Sequence, residues 1–160
     1  MVPAAVQGDD SETWNGRWLI SDGIASAESR RDAAIRASTA DMNVLARRIA
    51  RRRLRARAPL PHHVSVDGEG ETFRAVVGDH VLDFAADGSR HSIRGARGDS
   101  FIASQRLQGR RLEQQIRSDD ATLTQTLELS EDGLTLTLRV QIASPQLPRD
   151  VTYALTFRRG

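Results

Sequence analysis

Three glutamines, Gln105, Gln114 and Gln125, carry the most chemistry in this chain. The apolar alternation around them puts each on the inward face of a strand, and consecutive strands bring the three side by side. A buried amide without a partner costs about 1 to 3 kcal/mol. Either the three bond one another and trapped water, or they line a wet cavity and meet the polar group of a ligand. His62, His80 and His91 also fall on the inner parity of their strands. They could hold zinc or a haem only by converging on one point, and hairpin register puts His62 and His80 near one end and His91 nearer the other. Rim histidines without a metal are therefore expected, with His63 facing outward.

Catalytic signatures are missing from the sequence. There is no Gly-x-Ser-x-Gly elbow, Gly-rich phosphate loop, His-Glu-x-x-His or paired-carboxylate pattern. Asp9-Asp10 and Asp119-Asp120 fall in a tail and a turn. Binding is expected rather than catalysis, and no cofactor. Cysteine is absent, which removes disulfides, thiolate metal sites and a cysteine nucleophile. All 23 basic residues are arginine, but the formal net charge is only +2, so a nucleic-acid partner is not indicated. No apolar run approaches the roughly 18 residues of a membrane span.

The elements that must position these residues are legible from periodicity. Trp14, Gly16, Trp18 and Ile20 share one face of a first strand that ends at Ser21-Asp22-Gly23. Ser26 can cap a helix running to about Ala37, and Ser38 or Thr39, with Asp41, a second. In that second helix Met42, Leu45, Ile49 and Leu54, with Ala46 and Ala50, form one apolar stripe, expected to dock on the body of the protein. Arg47, Arg48, Arg51, Arg52 and Arg55 crowd the other side, a solvated face or a contact for an anionic membrane. Pro59 and Pro61 end the helical insert, which covers residues 26–58.

Beyond His62 the chain is a succession of short alternating runs separated by Gly-containing turns. A Gln108-Gly109 turn pairs Leu107 with Arg110 and puts Phe101, Ala103, Gln105 and Leu107 on the side of Leu112, Gln114 and Ile116. Later turns carry this face to Leu123, Gln125 and Leu127, to Leu134, Leu136, Leu138 and Val140, and to Tyr153, Leu155 and Phe157. Threonines and arginines occupy the other side. The same parity puts Val64, Phe73, Ala75, Leu82, Phe84 and Ile93 inside. The fold class is mainly β: an antiparallel up-and-down meander of about nine or ten strands closing into a barrel, with two helices inserted after the first strand. Residues 1–11 read as a tail or the remnant of an export signal, and 12–160 as one domain.

A strand, a helix pair and some nine further strands resemble the fatty-acid-binding-protein branch of the calycin superfamily. Gly16-Arg17-Trp18 is similar to the Gly-x-Trp of the first calycin strand, and Arg158, or Arg159 beside it, to the arginine that covers the tryptophan ring. The resemblance implies a monomeric carrier that sequesters a small apolar ligand, a fatty acid or other lipid, in a cavity lined by Gln105, Gln114, Gln125, Phe73, Phe84, Leu123, Leu138 and Tyr153. The alternative is a structural or interaction module with a filled core, whose arginine-rich helix contacts an anionic membrane or partner. The segments from Glu128 to Ile142 and from Leu147 to Arg159 resemble short exported bacterial proteins, which implies a periplasmic or secreted location.

Overall fold

The computed structural model describes residues 14–69, 71–95 and 98–160, so the expected tail at 1–11 lies outside the described residues. Alternation from Gly16 to the C-terminus resolves into ten strands: β1 (Gly16–Ile20), β2 (His63–Glu69), β3 (Thr72–Val77), β4 (His80–Ala85), β5 (His91–Arg94), β6 (Ser100–Gln108), β7 (Arg111–Arg117), β8 (Thr122–Leu129), β9 (Thr135–Ala143) and β10 (Val151–Arg159). They form one antiparallel sheet in the order β4-β3-β2-β1-β10-β9-β8-β7-β6-β5. Helices α1 (Ile24–Thr39) and α2 (Val44–Arg57) lie between β1 and β2.

An open sheet of this length would leave two unpaired edges. Curling brings the edges together, but they close obliquely: the tail of β4 pairs with β6, through Gly88 N–H to Gln105 O at 2.8 Å and Leu107 N–H to Ala86 O at 3.0 Å. β4 and β5 are bridged instead by Phe84 stacked on His91, with ring centroids 4.0 Å apart. Gly88 makes the oblique closure possible. Its φ of +86° suits glycine, and the Arg106 side chain lies against it.

Parity holds along the meander, with local corrections. The β6–β7 turn sits at Gly109-Arg110, so Gln108 faces Arg111 and Leu107 faces Leu112. This register shift of two residues leaves every side chain on its expected face. Leu134, expected inside, belongs to the turn before β9 and is exposed. At the closed end Trp18 lies opposite Arg159 in the β1–β10 ladder. The cation over the Trp18 ring is accordingly Arg159, 4.2 Å from the centroid. Arg158, expected in that place, is one residue out of phase and faces outward beside Leu19 and Thr135. Arg159 also donates to Gly133 O (3.0 Å) and Asn15 O (2.9 Å).

Both helices start differently from expectation. α1 begins at Ile24 without a side-chain cap, because its N-cap is Gly23; the neighbouring Asp22 carboxylate accepts the Thr156 N–H at 3.0 Å and pairs with Arg30 at 2.8 Å. Ser38 and Thr39 are inside α1, where the Thr39 hydroxyl donates to Ile35 O. The cap of α2 is Asn43, whose Oδ1 accepts the Ala46 N–H at 2.9 Å. The apolar stripe of α2 also splits. Ala46, Ala50 and Leu54 are half-buried, while Val44 (66% exposed), Leu45 (68%) and Ile49 (47%) face away from the body. The small alanines let α2 lie close to its neighbours. Arg51 donates to Thr39 at 3.0 Å and Arg55 lies 3.8 Å from Asp32, which fixes that side against α1. Among the described residues, no helix is long and apolar enough to cross a membrane.

Candidate ligand site

Strands β6, β7 and β8 place Gln105, Gln114 and Gln125 in register across the sheet, and all three are buried. Their amides form a single chain. Gln125 Nε2 donates to Gln114 Oε1 (3.2 Å), and Gln114 Nε2 donates to Gln105 Oε1 (3.0 Å). Gln105 Nε2 then crosses the barrel to Phe73 O (2.6 Å) and Phe84 O (2.8 Å). At the other end Gln125 Oε1 is buried with no hydrogen-bond donor.

Two apolar clusters surround the row. Toward Trp18 the barrel is packed: Leu112, Leu127, Leu136, Leu138, Leu155, Phe157 and both tryptophans are wholly buried, and Phe73 meets Trp14 edge-on at 6.3 Å. The same cluster takes in Ala27, Ile35 and Ala58 of the helical insert, while Leu82, Ala103 and Ile116 form a second, smaller cluster, edged by Phe84, Ile93, Phe101 and Leu123, which are only partly buried. The expected cavity residues therefore separate. Gln105, Gln114, Gln125, Phe73 and Leu138 are closed off, Phe84 and Leu123 retain accessible apolar surface, and Tyr153 sits between these extremes. Tyr153 donates its hydroxyl to Pro59 O beneath the helix pair. Burial pushes its ionisation well above the ordinary tyrosine range, with Arg31 opposing weakly, so the hydroxyl stays a donor.

The middle strands turn their arginines away from this interior. Arg74, Arg94, Arg106, Arg111, Arg117 and Arg139 all alternate outward and are exposed. Among the described residues, the only arginine of inward parity in β2–β10 is Arg159, at the closed end. The three histidines do not converge. His62 is exposed ahead of β2 and supplies its carbonyl to the Ile20 N–H. His80 opens β4, with burial lowering its pKa against the opposing pull of Asp79, and its Nδ1 is buried without a partner. His91 opens β5 and contacts Ser89 Oγ at 3.0 Å. Among the described residues, no cluster of three His, Asp or Glu side chains could hold a metal ion.

Periodicity alone did not reveal the acceptors at the end of the amide row, because they are main-chain carbonyls. It did contain the signal for Asn43, an asparagine immediately before an apolar-periodic segment. Outside the barrel, α2 carries a groove of about 510 Å³ lined by Val44, Arg47, Arg48, Arg51, Arg52 and Arg55.

No protein-family model matches this sequence, and no curated protein does. Solved structures match nearly its whole length. A Schistosoma mansoni fatty acid binding protein in complex with arachidonic acid aligns over 94% of this chain and 98% of its own, at 15% identity and a TM-score of 0.53. A fatty-acid-binding protein from Drosophila melanogaster brain tissue aligns over 92% and 99%, at 14% identity and 0.52. An abundant heat soluble (SAHS) protein from Ramazzottius varieornatus aligns over 92% and 96%, at 14% identity and 0.58. With ten antiparallel strands, a helix pair after the first and an arginine over the first-strand tryptophan, the chain has the calycin-like fold of the fatty-acid-binding-protein type.

Proposed function

We propose that the protein is a non-catalytic carrier that sequesters a small apolar ligand, a fatty acid or other lipid, inside its barrel. The observation that carries this reading is the partly exposed apolar group of Phe84, Ile93, Phe101 and Leu123, which edges a small cluster separate from the main core. Buried aliphatic and aromatic walls with few polar groups are what a lipid tail requires. The solved structures of this fold include a fatty acid binding protein with arachidonic acid bound, which supports the ligand class by analogy of fold. Gently ionised native mass spectrometry should reveal a co-purified lipid, and a hydrophobic dye should bind saturably and be displaced by lipid. A protein that carries no lipid and binds no dye is not a carrier.

A second feature favours contact with an anionic membrane. Leu45 and Ile49 are exposed on α2 with Arg48 and Arg52 beside them. Residues 24–57 hold ten arginines against three acids. Such a helix lies on a charged lipid surface with its apolar side chains inserted. The protein should float with vesicles containing phosphatidylserine, release at high salt, and lose this behaviour in a Leu45→Ser/Ile49→Ser variant. We place the carrier in the periplasm or outside the cell, as a monomer; fractionation of cells expressing the full gene and light scattering test these two points.

A further inference from the structure

We infer that the polar end of the ligand is a hydrogen-bond donor read by Gln125, and that the protein selects neutral lipids bearing a hydroxyl, such as long-chain alcohols or acylglycerols, over carboxylate anions. This inference rests on the carrier reading and specifies its ligand class.

The argument begins at the far end of the amide row. Phe73 O and Phe84 O are pure acceptors, so the group between them, 2.6 and 2.8 Å away, is the NH2 of Gln105 and not its oxygen. Gln105 Oε1 then faces Gln114 and needs a donor there, which fixes Gln114 with its NH2 toward Gln105. The same logic fixes Gln125 with its NH2 toward Gln114. Two backbone carbonyls thus set the direction of all three amides. The row ends at Gln125 Oε1, an acceptor with no partner. A chain of aligned amides polarises each member, and one that donates through its NH2 becomes a better acceptor at its oxygen.

The surroundings of that oxygen are apolar. Its neighbours on the same face are Leu123 and Leu127 along β8 and Val140 across the ladder to β9. The partly exposed Leu123 lies toward the helix side and belongs to both interior clusters. Gln125 is closed to a water-sized probe in this structure, so a ligand head reaches it by turning Leu123 aside. A hydroxyl arriving there completes the row. A carboxylate sets acceptor against acceptor, and β6, β7 and β8 around Gln125 carry no inward cation; the mostly buried Arg31 of α1 is engaged by Asp32 and lies near Tyr153. A fatty acid fits only when protonated, so its binding should strengthen as pH falls toward the ordinary carboxyl range.

The test compares three ligands of equal chain length, 1-dodecanol, methyl dodecanoate and dodecanoate, by displacement of a bound hydrophobic dye at neutral pH. One added hydrogen bond to a buried acceptor predicts that dodecanol binds about tenfold tighter than the methyl ester, and dodecanoate most weakly. In Gln125→Met the alcohol loses its added hydrogen bond and should bind no tighter than the ester. If that variant does not fold, the order measured on the wild-type protein decides. Dodecanoate binding as tightly as dodecanol, or ester and alcohol binding equally to wild type, overturns the inference and leaves the acceptor to water, with the carrier reading intact. Failure of all three ligands and of the dye removes the carrier reading itself.

Discussion

Replacing Gln114 with leucine should destabilise the protein more than replacing Gln125, and adding the second substitution to the first should restore stability. Gln114 both donates to Gln105 Oε1 and accepts from Gln125 Nε2. Its loss orphans two buried groups, each worth about 1 to 3 kcal/mol. Leucine returns some apolar burial, so the net cost should lie near the lower half of that sum, about 2 to 4 kcal/mol. For a chain of this size that is roughly 4 to 16 °C in Tm. Gln125→Leu differs in kind. It removes the acceptor that already lacks a partner and leaves Gln114 Oε1 in the same condition. The number of orphaned groups does not change, and only one hydrogen bond is lost, about 1 kcal/mol. The double variant leaves Gln105 Oε1 as the single orphan and should resemble Gln125→Leu. Urea unfolding of the four proteins closes a double-mutant cycle. A Gln114→Leu protein within about 0.5 kcal/mol of wild type, or a double variant less stable than Gln114→Leu, would refute the directional row.

Other consequences are as specific. Arg159→Ala loses the contact over Trp18 and donors to Gly133 O and Asn15 O, and should cost about 2 kcal/mol, whereas the outward Arg158→Ala should stay within about 0.5 kcal/mol in the same melts. Burial lowers the pKa of His80 below its ordinary 6.5. As pH falls through 6.5 the unfolded chain therefore takes up a proton that the fold resists, and stability declines until pH passes the folded-state value. His80→Asn should show a shallower decline in denaturant midpoint between about pH 7.5 and about 5.5, and an unchanged slope would remove His80 as the cause. Tyr153 is the sole tyrosine of the chain and its ionisation is pushed up by burial. Near-ultraviolet absorbance should show no phenolate through the ordinary tyrosine range, then a rise coincident with alkaline unfolding.

Much of this arrangement was legible in the sequence because strand parity survives errors of register. The β6–β7 turn moves by one residue and the pairing register by two, yet Gln105, Gln114 and Gln125 stay inward because an even register shift preserves the face. An odd shift has no such protection, and the single step between Arg158 and Arg159 decides which one covers Trp18. The direction of the amide row was not legible at all. Its acceptors belong to β3 and β4, far from β6 in the order of the sheet, and meet Gln105 only when the sheet curls. Periodicity also showed which residues of α2 share a side, but not which side docks. Ala46 and Ala50 permit close approach, and that advantage left the larger Leu45 and Ile49 in solvent.

The amide row also explains why the two clusters differ. A polar layer inside an apolar core is tolerable only where its groups are satisfied. Gln105 meets this condition by spanning to Phe73 and Phe84, which draws β6 toward β3 and β4 at the level where the tail of β4 pairs with Gln105 and Leu107. The packed end then follows, because closing the barrel at that level leaves leucine, phenylalanine and tryptophan side chains to fill what remains below it. Above the row β4 and β5 are the two edges of the sheet, joined by the Phe84–His91 stack and by apolar packing of Leu82 and Ile93. Gln125 begins three residues from the first residue of β8, roughly 10 Å of strand. An alkyl chain anchored at Gln125 would soon emerge from the strands and meet the helix pair, so α1 and α2 would cover the tail of the ligand while the row reads its head.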